Sequence, residues 1–306
     1  MTIMNLSEVL AIDLGQSGTS IRLGDFSSQT PRGKHAGENT LDALRAAIES
    51  IELPEKISTD CVALSCTGLY GQVPNPQKYL DLCSKFFGAT KVAVIDDGFA
   101  SYVGALKGQD GVVLTIGGGV VSIAGLKGQY SHRDGLGSTF GDEGGGFWLG
   151  RNAISKALAS LQNRILDQRM HEYFKDDITA YYELDVRDGS QAQILAINTA
   201  KKVLDAADLG IPSAVAIANK GAFLLAQTVI STWQGVQGNS TDEIKFVIQG
   251  GPAKNKNYVD AILRNVSEKL PNTKLVESAG DNLDGAIWIA QQMHHDAPPL
   301  LKWASK

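Results

Sequence analysis

Asp13 closes an apolar run, Val9 to Ile12, and is followed at once by Gly15, Ser17, Gly18 and Thr19. A carboxylate at the end of a buried strand, with a turn of glycines and hydroxyls behind it, suits Mg²⁺ and phosphate. Magnesium keeps several waters and needs only one or two carboxylates, while backbone N–H groups and hydroxyls hold the phosphate oxygens. The same residues would also make an ordinary hairpin turn. A second stretch, GLGSTFGDEGGGFWLGR from Gly135 to Arg151, places adjacent carboxylates, Asp142 and Glu143, before three glycines that open a helical pattern. Backbone with so little side chain can approach a polar ligand closely, and N–H groups at a helix start attract anionic oxygens. We therefore expect a binding wall there, against the alternative of a glycine-rich surface loop. A second carboxylate pair, Asp96 and Asp97, follows the strand Lys91 to Ile95 and opens a helix, where the dipole favours negative charge in any case.

Composition narrows what these groups could serve. The chain has 306 residues, 43% of them hydrophobic, enough for two domains with separate cores. Its net charge of -5, without a cluster of Lys and Arg, gives no support to a nucleic-acid partner. No basic region precedes an apolar stretch at the start, and no window reaches the roughly 18 to 20 apolar residues of a membrane span, so a cytoplasmic protein with no membrane partner is expected. Cys61, Cys66 and Cys83 are too few and too irregular for a disulfide framework, and are expected to pack as small apolar residues. His294 and His295 are adjacent, do not share a helix face, and suggest no metal site.

The elements that must position these residues alternate between strand and helix. Val9 to Phe26 reads as strand, turn, strand. After a polar link with Lys34 and His35, Asn39 or Thr40 is placed to cap a helix carrying Leu41, Leu44, Ile48 and Ile51. Strands at 61–66 and 91–95 and helices near 78–87 and 99–106 make this half an α/β layer, in which ligands gather at the carboxyl ends of strands. At Gly111 the pattern restarts: GVVLTIGGGVVSIAGL is again strand, glycine turn, strand. The boundary is expected near 107–110, dividing the chain into residues 1–108 and 109–306. A helical insertion or lid is expected over 152–210, a long helix over 211–233, and a strand at 244–248 running into Gly250, Gly251 and Pro252. That double glycine would let a flat ring such as adenine lie on backbone; it would equally fit a strand-to-helix turn. Helices near 259–270 and 283–293 flank a strand at 274–276.

Taken in order, Asp13-x-Gly15-x-Ser17-x-Thr19, the strand ending at Asp97, the Gly117 to Gly119 turn, GDEGGGFWLGR and QGGP resemble the sugar kinase, heat-shock ATPase and actin superfamily. More narrowly the chain is similar to the BadF/BadG/BcrA/BcrD ATPase family, which includes N-acetylglucosamine kinases. The resemblance implies an α/β fold of two ribonuclease H-like domains facing a central cleft, with a first phosphate loop at Asp13, Gly15, Ser17, Gly18 and Thr19. It implies a second phosphate loop at Gly117, Gly118 and Gly119, and an adenosine motif at Gly250 and Gly251. It makes Asp97, with Ser101 four positions on, the catalytic aspartate, and Asp13 the residue on the metal side. It puts Asn39 and Asp142, with Gly137 and Glu143 beside the latter, where those kinases contact sugar hydroxyls. ATP and Mg²⁺ are the implied cofactors and a small-molecule sugar the implied partner; a homodimer is compatible with it. The implied activity is ATP-dependent phosphorylation of a sugar hydroxyl, that of an amino sugar such as N-acetylglucosamine. Two other readings stay open: a non-catalytic sugar or nucleotide sensor, and an ATPase that activates a dehydratase or reductase. Two departures from the family pattern are visible. Gly117 to Val120 replace Gly-Thr-Gly-Ser, and Gly135-Leu136-Gly137 replace Gly-Trp-Gly.

Overall fold

A computed structural model describes residues 8–35, 37–53, 57–185 and 189–306. The chain divides into two units, residues 1–109 with 277–306, and residues 110–276.

In the first unit β1 (Leu10–Leu14), β2 (Thr19–Leu23) and β3 (Phe26–Thr30) form an antiparallel meander. Alternation explains β3: Phe26, Ser28 and Thr30 face inward while Ser27 and Gln29 are exposed. Helix α1 (Thr40–Ser50) buries Ala43, Leu44, Ala47 and Ile48. Strands β4 (Cys61–Cys66) and β5 (Lys91–Asp96) extend the sheet in parallel beside β1, with α2 (Gln77–Phe87) between them and α3 (Asp97–Leu106) after. Cys66 and Cys83 are buried in this core, and all three cysteines are free.

The second unit repeats the plan. A meander of β6 (Gly111–Ile116), β7 (Val120–Leu126) and β8 (Gln129–Asp134) leads into α4 (Gly146–Leu161), α5 (Gln168–Tyr173), α6 (Lys175–Glu183), α7 (Gly189–Asp208) and α8 (Pro212–Gly235). Then β9 (Ile244–Gln249) pairs parallel with β6, α9 (Lys256–Ser267) follows, and β10 (Thr273–Leu275) pairs parallel with β9. Helix α8 is apolar along much of its length because Ala214, Ile217, Ala222, Leu225, Ala226, Val229 and Trp233 belong to this unit's core.

The remaining two elements return to the first unit: α10 (Asn282–Gln292) and β11 (Leu301–Ser305), which pairs antiparallel with the edge strand β5. The sheet orders are therefore β11-β5-β4-β1-β2-β3 and β10-β9-β6-β7-β8. Apart from β11 they are the same sequence of pairings, so the restart at Gly111 marks a repeated topology. The expected division at 108 is corrected at the other end of the chain: residues 277–306 belong with the first unit. Glycine lets α10 reach it. Cβ atoms at Gly104 of α3 and Gly285 of α10 would come 2.0 Å from Asp281 O and 1.9 Å from Ala100 O, so the two helices touch backbone to backbone.

Candidate active site

In the first unit three carboxylates gather where β1 and β5 end. Asp13 Oδ1 accepts from the Ser65 hydroxyl at 2.5 Å and from the Asn282 amide at 3.1 Å, leaving Oδ2 without a partner in the described residues. Ser65 sits on β4 beside Asp13, paired in register, so the sheet itself supplies this contact. Asn282 comes from the first turn of α10, which is anchored to β2 by Arg22 bridging Asp281 at 3.1 Å and Asp284 at 2.6 Å. Burial raises the Asp13 carboxyl, against the lowering effect of the two donors.

Asp96 and Asp97 have different tasks. Asp96 is the N-cap of α3: its Oδ1 accepts from Gly98 N at 3.1 Å and its Oδ2 from Gly71 N at 3.0 Å. Both of its oxygens are thus engaged in holding backbone. Asp97 opens the helix, bonded to Gly98 N and to the Thr67 side chain. Burial first, then the neighbouring Asp96 and Asp13, push its carboxyl well above the usual range. A carboxylate so raised is a better proton acceptor near neutral pH than an ordinary one.

The first glycine turn lies at the end of the same β1. Gly15 N donates to Gly18 O at 2.9 Å, and Gly15 O accepts from Lys34 N at 2.9 Å. In a trans peptide the carbonyl and the following N–H point oppositely, so Gln16 N–H is directed away from Lys34. The Thr19 hydroxyl is committed to Arg32 O at 2.7 Å, while Ser17 is exposed. Of the two hydroxyls expected to face phosphate, Ser17 alone is uncommitted among the described residues. Asn39 is the N-cap of α1; its carbonyl oxygen accepts from Leu41 N and Asp42 N, and the residue is otherwise exposed. Its amide N–H₂ group remains for a ligand.

In the second unit the Gly135 to Arg151 stretch differs from expectation in an instructive way. The N–H groups at the start of α4 are not free: Gly146 N donates to Gly117 O at 2.8 Å and Phe147 N to Gly118 O at 2.9 Å. With both carbonyls turned toward α4, the N–H groups of Gly118 and Gly119 must point the other way. Those two amides, which have no backbone acceptor among the described residues, are therefore the donors this segment offers, and the helix start is the clamp that aims them. Asp142 completes the clamp. Its Oδ1 accepts from Val120 N at 2.9 Å, and its own N–H donates to Asp134. It is buried, in the left-handed region at φ 60°, and a Cβ at Gly119 would lie 2.7 Å from its Oδ2. Burial raises its carboxyl. Glu143 is exposed, and Gly137, at φ 81°, turns the loop between Asp134 and Asp142 with open space around it.

The two glycines after β9 also differ. Gly250, at φ 104°, is pressed on β6, where a Cβ would meet Ile116 O at 2.1 Å; Gly251 has nothing within 4 Å of a Cβ position. Gly250 is thus required by packing and Gly251 offers open backbone. Beyond them lies a cavity among α7, α8 and α9 that sequence reasoning missed, lined by Leu204, Asp208, Asn219, Asn255 and Arg264 among others. Asp208 accepts there from the Asn255 and Asn257 amides at 2.8 and 2.7 Å.

Among the described residues no group of three or more His, Cys, Asp or Glu could hold a metal alone. The donor set at Asp13, one free carboxylate oxygen beside a turn with outward N–H groups, fits an ion that keeps its waters and shares phosphate oxygens, which is Mg²⁺ chemistry.

Comparisons with known proteins agree in kind. An N-acetylmuramic acid/N-acetylglucosamine kinase of Clostridium acetobutylicum is 24% identical over 245 residues, covering 76% of this chain and 78% of that one. A provisionally named N-acetylglucosamine kinase from Chromobacterium violaceum superposes with a TM-score of 0.65 at 20% identity, over 94% of this chain and 99% of the other. A ROK family glucokinase from Streptomyces griseus, solved with glucose and AMPPNP, gives 0.57 at 18% identity, over 93% and 98%. These structures share the two-unit α/β fold of actin-like ATPases and sugar kinases. Residues 10–287 match the family's sequence pattern from β1 to α10, and the chain belongs to the BadF/BadG/BcrA/BcrD ATPase family.

Proposed function

We propose that this protein is an ATP-dependent kinase that phosphorylates a hydroxyl of an amino sugar such as N-acetylglucosamine. The observation that carries this reading is Asp97. It is a carboxylate at a strand end, not engaged as a cap like Asp96, held by Thr67 and raised by burial beside Asp13. Family membership and the names of the relatives support the same choice of reaction.

Phosphoryl transfer asks mainly for positioning and for neutralisation of charge. Asp97 orients the acceptor hydroxyl and takes its proton as the acceptor oxygen bonds to the terminal phosphorus. The bond from that phosphorus to the bridging oxygen breaks, and ADP leaves. Asp13 would hold Mg²⁺, and the ion would neutralise charge on the phosphates. Gln16, Ser17 and Gly18 in the first turn, and the Gly118 and Gly119 amides in the second, donate to phosphate oxygens, while the Gly15 N–H, bonded to Gly18 O, shapes the turn. Gly251 and the cavity beyond it take the adenosine end. Asn39, Asp142 Oδ2 and the exposed Glu143 are assigned to sugar hydroxyls, since each has hydrogen-bonding capacity left over.

One observation favours a second reading, a sugar or nucleotide sensor without turnover. Gly117 to Val120 carry no hydroxyl and the Thr19 hydroxyl is committed elsewhere, so hydroxyl donors to phosphate are few. An ATPase that activates a dehydratase or reductase through an iron–sulfur cluster is disfavoured, because such a cluster needs cysteine thiolates and Cys66 and Cys83 are packed in the first unit's core. Incubation with Mg²⁺-ATP and N-acetylglucosamine, followed by ³¹P NMR, separates these readings. A sugar phosphomonoester signal supports the kinase; ATP binding without any product supports the sensor.

A further inference from the structure

Among the described residues beside the first turn, Lys34 carries a charge that the fold leaves unanswered. Its N–H is bonded to Gly15 O, and Gly33 before it packs so closely on the turn that a Cβ there would lie 2.4 Å from Gln16 O. The backbone of Lys34 is therefore strapped to the glycine turn. Its side chain then runs to the loop after β4, where the ammonium would sit 2.7 Å from a Cβ at Gly68. Gly68 is in the left-handed region at φ 74°, and a side chain there would displace Lys34. Thr67, the preceding residue, is the one that bonds Asp97.

A half-buried ammonium in such a place would normally have a carboxylate beside it. Arg32, two residues earlier on the same strap, pairs with Glu38. Lys34 belongs to none of the ion pairs among the described residues and donates no side-chain hydrogen bond there, although Asp13, Asp96 and Asp97 lie in the same unit. A cation pinned to a phosphate-type turn at one end and to the loop holding the proposed base at the other is placed for an anion that arrives with the substrate.

We propose that the Lys34 ammonium binds the terminal phosphate of the nucleotide, the one that is transferred. This rests on the kinase reading above. The terminal phosphate is favoured over the inner ones because the Lys34 side chain lies against Gly68, the residue next to the Thr67 that bonds Asp97, and so on the side where the proposed base takes the acceptor proton. Lysine suits this role as a compact point charge that can follow the phosphoryl group during transfer.

The test compares nucleotides that differ by that one phosphate. Calorimetric titration of the full-length protein with a non-hydrolysable ATP analogue and with ADP, both with Mg²⁺, needs no turnover. Lys34→Met is expected to weaken the ATP analogue by about tenfold or more, the scale of one charge-assisted hydrogen bond, and ADP by less than about twofold. Lys34→Arg, which keeps the charge, is expected to recover most of the difference. Unchanged melting temperatures would show both variants folded. Equal losses for the two nucleotides, or none, overturn the proposal. So does a defect confined to a carboxylate-bearing acceptor sugar, which would assign the ammonium to the acceptor. A wild-type protein that binds neither nucleotide sinks the kinase reading itself, and this separates the two failures.

Discussion

The side-chain amide of Asn282 donates to Asp13 Oδ1 at 3.1 Å, across 269 positions of sequence. A residue near the end of the chain thereby fixes the carboxylate that ends its first strand. With Oδ1 held by Asn282 and Ser65, the free Oδ2 would have one orientation to present to the proposed hydrated Mg²⁺. Removing the amide in Asn282→Leu takes away a donor that lowers the Asp13 pKa, so the carboxyl should rise further and hold Mg²⁺ less well. The Mg²⁺ concentration for half-maximal activity should increase severalfold, about 10-fold by the usual cost of a lost second-layer contact. An unchanged Mg²⁺ requirement would dissociate Asp13 from the metal.

Asp97 gives one prediction on rate and one on pH dependence. As the proposed proton acceptor it would contribute about 10²–10⁴ in rate, so Asp97→Asn should lose turnover on that scale while still binding nucleotide. Because its carboxyl is raised, the acid limb of kcat/KM in the wild type should lie above the usual carboxylate range.

The stability consequence follows from the same shift. A raised folded-state pKa means the folded protein prefers the proton. Its contribution is fully present below the unfolded pKa and is lost as pH rises through the folded one. At pH 8 the ionised Asp97 therefore costs stability, and Asp97→Asn should melt higher than wild type there, with the gap shrinking toward pH 4. A variant that melts lower at pH 8 would show that the carboxylate is instead stabilised by partners.

The return of the chain to the first unit rests on the contact of α3 with α10. A methyl at Gly285 would have to displace Ala100 O, so Gly285→Ala should cost about 1–3 kcal/mol by overpacking. For a unit of this size that lowers Tm by roughly 3–10 °C. Since α10 carries Asn282, activity should fall before the protein unfolds; a variant with wild-type Tm would mean the helices have room to separate.

How far the sequence reveals this site depends on whether the determinants are local. Asp13 with its glycine turn, Asp97 after its strand and the restart at Gly111 are contiguous patterns, and the structure has those hairpins and that helix start. The family resemblance, through the spacing to Ser101, is what favours Asp97 over Asp96 as the proposed base; in the structure Asp96 instead holds the backbone N–H groups of Gly98 and Gly71. What could not be read locally depended on distant partners. The α4 amides look free in sequence, and only their acceptors, Gly117 O and Gly118 O, show that they are clamps. Asn282 is one polar residue at a helix start until the sheet brings Asp13 to it. β3, β8 and β11 are short and polar on one face, a pattern indistinguishable from loop without a neighbouring strand to pair with.

The most direct test is coupled ADP release with Mg²⁺-ATP against N-acetylglucosamine, glucosamine, N-acetylmannosamine, glucose and buffer alone, run for wild type and Asp97→Asn together. The account predicts turnover with an amino sugar well above the buffer rate in wild type, and its near disappearance in Asp97→Asn. A flat panel from a wild-type protein that binds ATP, or an Asp97→Asn variant as active as wild type, would contradict it.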